Sequence, residues 1–179
     1  MFSSSLATFT FPSGPFTGPM KDQSTGRTLY QVNTKTPLLG SSTTTITRYH
    51  GSRIAVLHWK SILKPMAVVT LQGTTVPVKQ VLCGAMFSSK KIWVDDFGNE
   101  FYWKHGVCRN ALHQLVARFD RPVHHSIRKN EPATLSVDRA YLPQLDMILL
   151  TAIIIEHARQ QNHKRISASA ASAGTLSGS

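Results

Sequence analysis

Residues Tyr141–Arg165, YLPQLDMILLTAIIIEHARQQNHKR, decide the fold. After Pro143 the stretch contains no Gly and no further Pro, and it is too long for a single strand. Pro143 and Asp146 suit a first helical turn. His157, Arg159, His163, Lys164 and Arg165 suit the negative end of a helix dipole. The three successive isoleucines, Ile153 to Ile155, favour a buried strand instead, because β branching stiffens the side chain. Length and termini favour the helix, of about five turns, from Tyr141 to Lys164. Leu145, Ile148, Leu149, Ala152, Ile153 and Ile155 form an apolar stripe, while Met147, Leu150 and Ile154 fill the remaining faces. A helix that is apolar all round has to be enclosed. Asp146 and Glu156 bracket the apolar run and are expected to emerge from the enclosure, unless Asp146 is buried against an arginine.

The enclosure is legible upstream. β-branched and aromatic stretches recur about every ten positions, with turn residues between them. Expected strands are Thr28–Asn33, Thr43–Tyr49, Arg53–Trp59, Ala67–Gln72, Val76–Leu82, Lys91–Val94, Glu100–Lys104, Leu112–Phe119, Val123–Ser126 and Ala133–Val137. The clearest hairpin is IWVDDFGNEFYW, Ile92–Trp103, turning through Asp95, Asp96, Gly98 and Asn99. Strand Arg53–Trp59 is largely apolar on both sides, which suits a sheet covering a helix better than an open sandwich. The expected fold is therefore mainly β: an antiparallel β-barrel or strongly curled sheet enclosing one hydrophobic C-terminal α-helix.

The flanks read differently. Residues 1–27, rich in Ser, Thr, Gly, Pro and Phe, show no clear period and are expected to be a disordered leader. Residues 165–179 form a Ser/Ala/Gly tail expected not to fold. One domain, 28–164, remains, a common size for a single core. The N-terminal stretch has no basic region of signal-peptide type, and the longest apolar run, Met147–Ile155, is far short of the roughly 20 residues that span a bilayer. There is no N-x-S/T acceptor in the 179 residues. Together these predict a cytoplasmic protein with no transmembrane segment. Cys83 and Cys108 belong to no CxxC pair, so two reduced thiols are expected rather than a disulfide scaffold or thiolate zinc site.

Only 16% of residues are charged, yet 20 Lys and Arg face 9 Asp and Glu, giving a formal charge of +11. Such an excess favours an anionic partner. It is densest between Lys104 and Lys129, where Lys104, Arg109, Arg118, Arg121, Arg128 and Lys129 stand with His105, His113, His124 and His125 against Asp120. The basic side chains are the candidates for contact with an anionic membrane surface. The alternative account is a solvated face that keeps the protein soluble. Nucleic acid ranks lower, because only Trp103 and Phe119 offer aromatic faces nearby. His124 and His125 are strand neighbours that would point to opposite faces, so no metal site is assigned. Asp95, Asp96 and Glu100 are better explained by turn formation than by acid-base work. No nucleophile elbow, phosphate loop or dinucleotide fingerprint occurs, so no catalytic residue and no cofactor is assigned and the chain is read as a non-enzyme.

The order of elements resembles the fungal, largely basidiomycete, DUF6593 family, and through it the tubby C-terminal-like or LURP-one-related superfamily. The resemblance is carried by Leu29-Tyr30-Gln31-Val32, by Thr45-Ile46-Thr47-Arg48 leading to Ile54-Ala55-Val56-Leu57-His58-Trp59, by Phe101-Tyr102-Trp103-Lys104, by Leu115-Val116-Ala117-Arg118-Phe119, and by Leu145 to Ala152. It implies a β-barrel around a central C-terminal helix, and the better-known relatives bind phosphoinositide or are phospholipid scramblases. No calcium-binding segment of scramblase type and no lipidated cysteine cluster accompanies it. The expected function is an intracellular binding module, peripheral to a membrane, that contacts anionic phospholipid through its basic side. The alternative is a structural or protein-interaction domain with an unknown protein partner.

Overall fold

A computed structural model describes residues 5–36, 41–59, 68–71, 73–83, 90–123 and 131–173. The strands are β1 (Leu6–Phe11), β2 (Thr17–Asp22), β3 (Thr28–Lys35), β4 (Ser42–Arg48), β5 (Arg53–Trp59), β6 (Val68–Leu71), β7 (Thr74–Pro77), β8 (Lys90–Val94), β9 (Glu100–Lys104), β10 (Val107–Asn110), β11 (Leu115–Asp120) and β12 (Ala133–Asp138). A helical turn, α1 (Val78–Val81), follows β7, and a 3-10 helix (Arg139–Gln144) leads into the long helix α2 (Leu145–Ala173). All described strand pairs are antiparallel, in the order β7-β6-β5-β4-β3-β2-β1-β12-β11-β10-β9-β8.

The mainly antiparallel sheet with a C-terminal helix is as expected, but the sheet is not closed into a barrel. Its edges are β7 and β8. Between them, among the described residues, lies an isolated bridge, in which Cys83, just past α1, exchanges two backbone hydrogen bonds with Ile92 of β8 (2.6 and 2.8 Å). Strands from both arms of the sheet reach the helix. Trp59 of β5 stacks on His157 with centroids 3.7 Å apart, and the Trp103 indole of β9 donates to Thr151 Oγ1 at 2.9 Å. Every residue of α2 from Ile148 to Ile154 is buried. Those residues make about two helical turns, so no side of the helix is left open there.

The N-terminal segment corrects the expectation of a disordered leader. Residues 6–22 supply β1 and β2, at the middle of the sheet. Phe9, Phe11 and Met20 are buried, and β1 pairs with β12 along its whole length, from Leu6 opposite Asp138 to Phe11 opposite Ala133. The period is present in LATFTF, where Ala7, Phe9 and Phe11 alternate with threonines, but it is short and is followed at once by Pro12. β2 contains Gly18 and Pro19. It pairs with β1 only at Lys21 and Asp22, so Pro19, which has no N–H to donate, lies beyond that ladder.

The tail is corrected in the same direction. Helix α2 continues past Lys164 to Ala173. The alanines of SASAASA are strong helix formers, and Gly174 stands directly after the last helical residue. The helix also begins later than expected, because Pro143 falls inside the 3-10 turn. The region expected as strand Val76–Leu82 divides into β7 and α1, and the one expected as Leu112–Phe119 begins at Leu115. β10, only four residues long, was not anticipated. The expected strand Val123–Ser126 lies outside the described residues except for Val123, which bridges to Glu131.

Deleting residues 1–22 removes β1 and β2, and the shortened chain is expected to lose cooperative thermal unfolding rather than behave as a trimmed domain. Unchanged calorimetric unfolding would refute that. Thr151→Val strips the Trp103 indole of its partner in a dry core and is expected to cost about 1–3 kcal/mol in urea unfolding, with Thr151→Ser largely restoring stability.

Candidate functional site

Strand alternation sorts the basic residues. In β9, Phe101 and Trp103 point into the core, each 2% exposed, so Glu100, Tyr102 and Lys104 point outward. In β10, buried Cys108 sends Val107 and Arg109 outward, and in β11 exposed Arg118 faces the same way. Registers align these side chains. Lys104 lies opposite Lys90 of β8 on one side and Val107 on the other, and Val107 lies opposite Arg118. Adjacent strands are about 4.8 Å apart, so Lys90, Lys104 and Arg118 form one row of about 15 Å across the outer face of β8–β11.

Arg109 occupies the next row, opposite Tyr102. Tyr102 organises this part of the face. Lys90 Nζ sits 4.4 Å from its ring centroid, and its hydroxyl is 2.6 Å from His113 Nδ1. Arg109 Nη1 donates to the His113 carbonyl at 2.7 Å, tying the β10–β11 turn to the strand. The face is not purely cationic. Asp120 accepts from Arg118 Nε at 2.8 Å, and Glu100 projects outward at the start of β9. Both members of the Arg118–Asp120 pair are well exposed, so the pair adds little to stability.

Lys104, Arg109 and Arg118 thus share one face. Arg121 does not: past the end of β11 its half-exposed side chain reaches toward the helix, and its Nε lies 3.3 Å from Glu156 of α2. Arg128, Lys129, His124 and His125 lie outside the described residues. Lys90 joins the face although sequence reasoning did not single it out. The signal was the alternation about inward-pointing Trp93, which makes Lys90 an outward residue of β8.

Where carboxylates were set aside as turn formers, the geometry agrees for Asp95. Its Oδ1 accepts from the backbone N–H groups of Phe97 (3.0 Å) and Asn99 (2.8 Å), and its Oδ2 from the side chains of Asn99 (2.9 Å) and Gln144 (3.0 Å). Cys83 is exposed and Cys108 buried, both as free thiols. Burial pushes the Cys108 thiol up to about 12, far from a nucleophile's range.

The acids that bracket the apolar run of α2 behave differently from one another and from expectation. Asp146 accepts from the Tyr30 hydroxyl at 2.7 Å and forms a salt bridge with Arg48, so it has the arginine partner of the exception named above while being only half-buried. Burial, followed by the hydrogen bond to Asp146, drives the Tyr30 phenol well above its ordinary range. Glu156 was expected to emerge, yet it is 4% exposed. It is tolerated because Arg159 grips it through Nη2 and Nε (2.7 and 2.9 Å), Gln160 donates at 3.2 Å, and Arg121 approaches from the sheet.

Glu156 also lines a cleft of about 360 Å³ at the end of the sheet where α2 leaves it. Trp103, Phe119, Ala152 and Ile155 form apolar walls there, and the turn His105–Gly106 forms one lip. That turn requires glycine: Gly106 has φ +80°, and a Cβ on it would lie 2.9 Å from the Phe119 carbonyl oxygen.

A family described as "Family of unknown function (DUF6593)" matches residues 15–161. The chain belongs to the DUF6593 family. The DUF6593 match opens just before β2 and closes within α2, so it takes in the basic outer face and the end cleft, while β1 lies ahead of it. No curated protein and no solved structure matches the chain. Among the described residues, no helix is long and apolar enough to cross a membrane.

Burial opposes ionisation of Glu156, but the hydrogen bonds from Arg159 and Gln160 and the charges of Arg159 and Arg121 outweigh it and hold the carboxyl below its ordinary range. A carboxylate depressed in the folded state contributes stability above its unfolded pKa, near 4.3, and loses it as pH falls through the folded value. Glu156→Gln is therefore expected to cost roughly 1–3 kcal/mol at pH 7, and the gap to the parent should narrow steadily in urea titrations below about pH 4.5. A gap independent of pH would exclude the charge as its origin.

Proposed function

We propose that this DUF6593 domain is a non-enzymatic binding module that contacts anionic phospholipid through the outer face of β8–β11, working from the cytoplasm at a membrane surface. The observation that supports it is the row formed by Lys90, Lys104 and Arg118, with Arg109 beside it. An outer sheet face carrying several cations suits a surface of spaced negative headgroups better than it suits a single small ligand. Each basic residue near an anionic leaflet contributes about 1 kcal/mol, so the group supplies weak, reversible and salt-sensitive attachment. The resemblance to the tubby C-terminal-like superfamily, with its barrel enclosing a central helix, points to the same class of ligand by analogy.

A protein-interaction role is the second reading. It is favoured by Phe97 and Leu112, which are 88% and 76% exposed at the tips of the β8–β9 and β10–β11 turns. Those two turns lie at the same end of adjacent hairpins, where exposed apolar side chains suit a protein contact.

Flotation with phosphatidylcholine vesicles, with and without phosphatidylserine and a phosphoinositide, separates the two. The lipid reading expects the protein to float only with the anionic vesicles, with binding at least tenfold weaker at 0.5 M than at 0.05 M salt, and lost in Lys90→Glu/Lys104→Glu. Equal indifference to all the vesicles at low salt would defeat it.

A further inference from the structure

The end cleft has a charge arrangement that the outer face does not explain. Two carboxylates line it, Asp120 and Glu156, and each is held by an arginine outside the lining: Asp120 by Arg118 at 2.8 Å and Glu156 by Arg159 through two contacts of 2.7 and 2.9 Å. Arg121, which does line the cleft, reaches Glu156 through Nε at a longer 3.3 Å. Its side chain is 51% exposed, while that of Glu156 is 5% exposed. With both acids neutralised from behind, the guanidinium of Arg121 is, among the described residues, the charge the cleft presents to an incoming molecule.

Behind that charge lies apolar surface. Trp103 and Phe119 come from the sheet and Ala152 and Ile155 from the helix, with Val123 at the rim, 44% exposed. The Trp103 indole is 2% exposed and its N–H is already used by Thr151, so it closes the floor of the cleft and presents no competing donor, leaving half-buried Phe119 and Ile155 as the accessible walls. The volume, about 360 Å³, is within the range of small-molecule sites.

We propose that this cleft binds an amphiphile with one anionic headgroup and an apolar chain, a medium-chain carboxylate being the simplest case. The carboxylate pairs with the Arg121 guanidinium at the mouth, where a planar fork matches a planar anion. The chain lies between Phe119 on one side and Ile155 on the other, with buried Trp103 beneath. No bond is made or broken. The site needs neither a membrane nor the two lysines of the outer row, Lys90 and Lys104, so it stands or falls separately from the phospholipid reading.

The test uses the full chain without vesicles, titrated calorimetrically with decanoate, decanol and decyltrimethylammonium, each below its micelle concentration. Decanoate is expected to bind at least tenfold more tightly than decanol, and decyltrimethylammonium more weakly than either. Octanoate should bind more weakly than decanoate, by up to about fourfold per methylene removed. Arg121→Gln should weaken decanoate at least tenfold and leave decanol unchanged, while Arg121→Lys should retain part of the preference. Should Arg121→Gln not fold, Val123→Trp narrows the mouth from an exposed position and is expected to weaken all chain-bearing ligands without a change in melting temperature. Lys90→Glu/Lys104→Glu should bind decanoate normally, so a failure of vesicle binding leaves this site untouched. Three outcomes overturn the proposal: no binding of decanoate, equal affinity for the three headgroups, or a preference for decyltrimethylammonium, which would make Glu156 the recognising charge.

Discussion

A helix with no polar side cannot rest on a surface. That constraint shapes the whole molecule. From Ile148 to Ile154 every side chain of α2 is buried, so partners are needed around the full circumference. A flat sheet covers one side of a helix only. Twelve antiparallel strands, drawn in from both arms to the same helix, cover the rest, and each buried Ile or Leu stabilises the fold by about 1.5–3 kcal/mol relative to exposure. The two large indoles that reach the helix zone carry polar N–H groups into it, and each is answered by a threonine: Trp59 by Thr44 at 2.8 Å and Trp103 by Thr151 at 2.9 Å. Thr151 passes its own hydroxyl proton back to the carbonyls of the preceding turn, so this buried polar residue breaks no rule of satisfaction.

The two acids that frame the apolar run mark where the enclosure changes character. At the entry, Asp146 gathers Tyr30 and Arg48 from β3 and β4 and pins the first turn of the helix to the sheet. At the exit, Glu156 is buried among arginines, and the wall around it opens into a cleft. An ionised side chain inside an otherwise apolar wrapper costs desolvation, and here the cost is offset by one arginine from its own helix and another from the sheet. The outer face has different electrostatics, with exposed cations spaced by strand geometry and little burial.

Much of this was legible in the sequence where one period dominated. Arg53–Trp59 and Glu100–Lys104 have the bounds that alternation assigns, because bulky residues mark the inward positions plainly. The helix was visible because apolar residues occupy every one of its faces between Met147 and Ile155, and the same feature demanded a surrounding sheet. Where the period was brief, tertiary pairing decided. LATFTF looks like a loop leader until β12 lies beside it, and TGPMKD has one buried side chain, Met20, to declare its role. Alanines beyond Arg165 were discounted as low complexity although their helix propensity is high. The basic segment shows the limit of position along the chain as a guide to a surface. Lys104, Arg109 and Arg118 converge because of alternation and register, whereas Arg121, only three residues past Arg118, turns to the opposite task of holding Glu156.

The strand order carries a kinetic meaning. Every pair of neighbouring strands is also consecutive in the chain, with the single exception of β1 and β12. The hairpins of each arm therefore close over short loops, while Phe9 meets Leu135 only after most of the polypeptide lies between them. Loop-closure entropy makes that joint about 2 kcal/mol more costly to form than a ten-residue hairpin. Two locally assembled meanders, β1–β7 and β8–β12, meet at a seam made by the first and last strands, and α2 follows the last strand after one short 3-10 helix. The pairing of β1 with β12 is thus the latch of the fold, the one joint in the described sheet whose closure carries the entropy of a long loop.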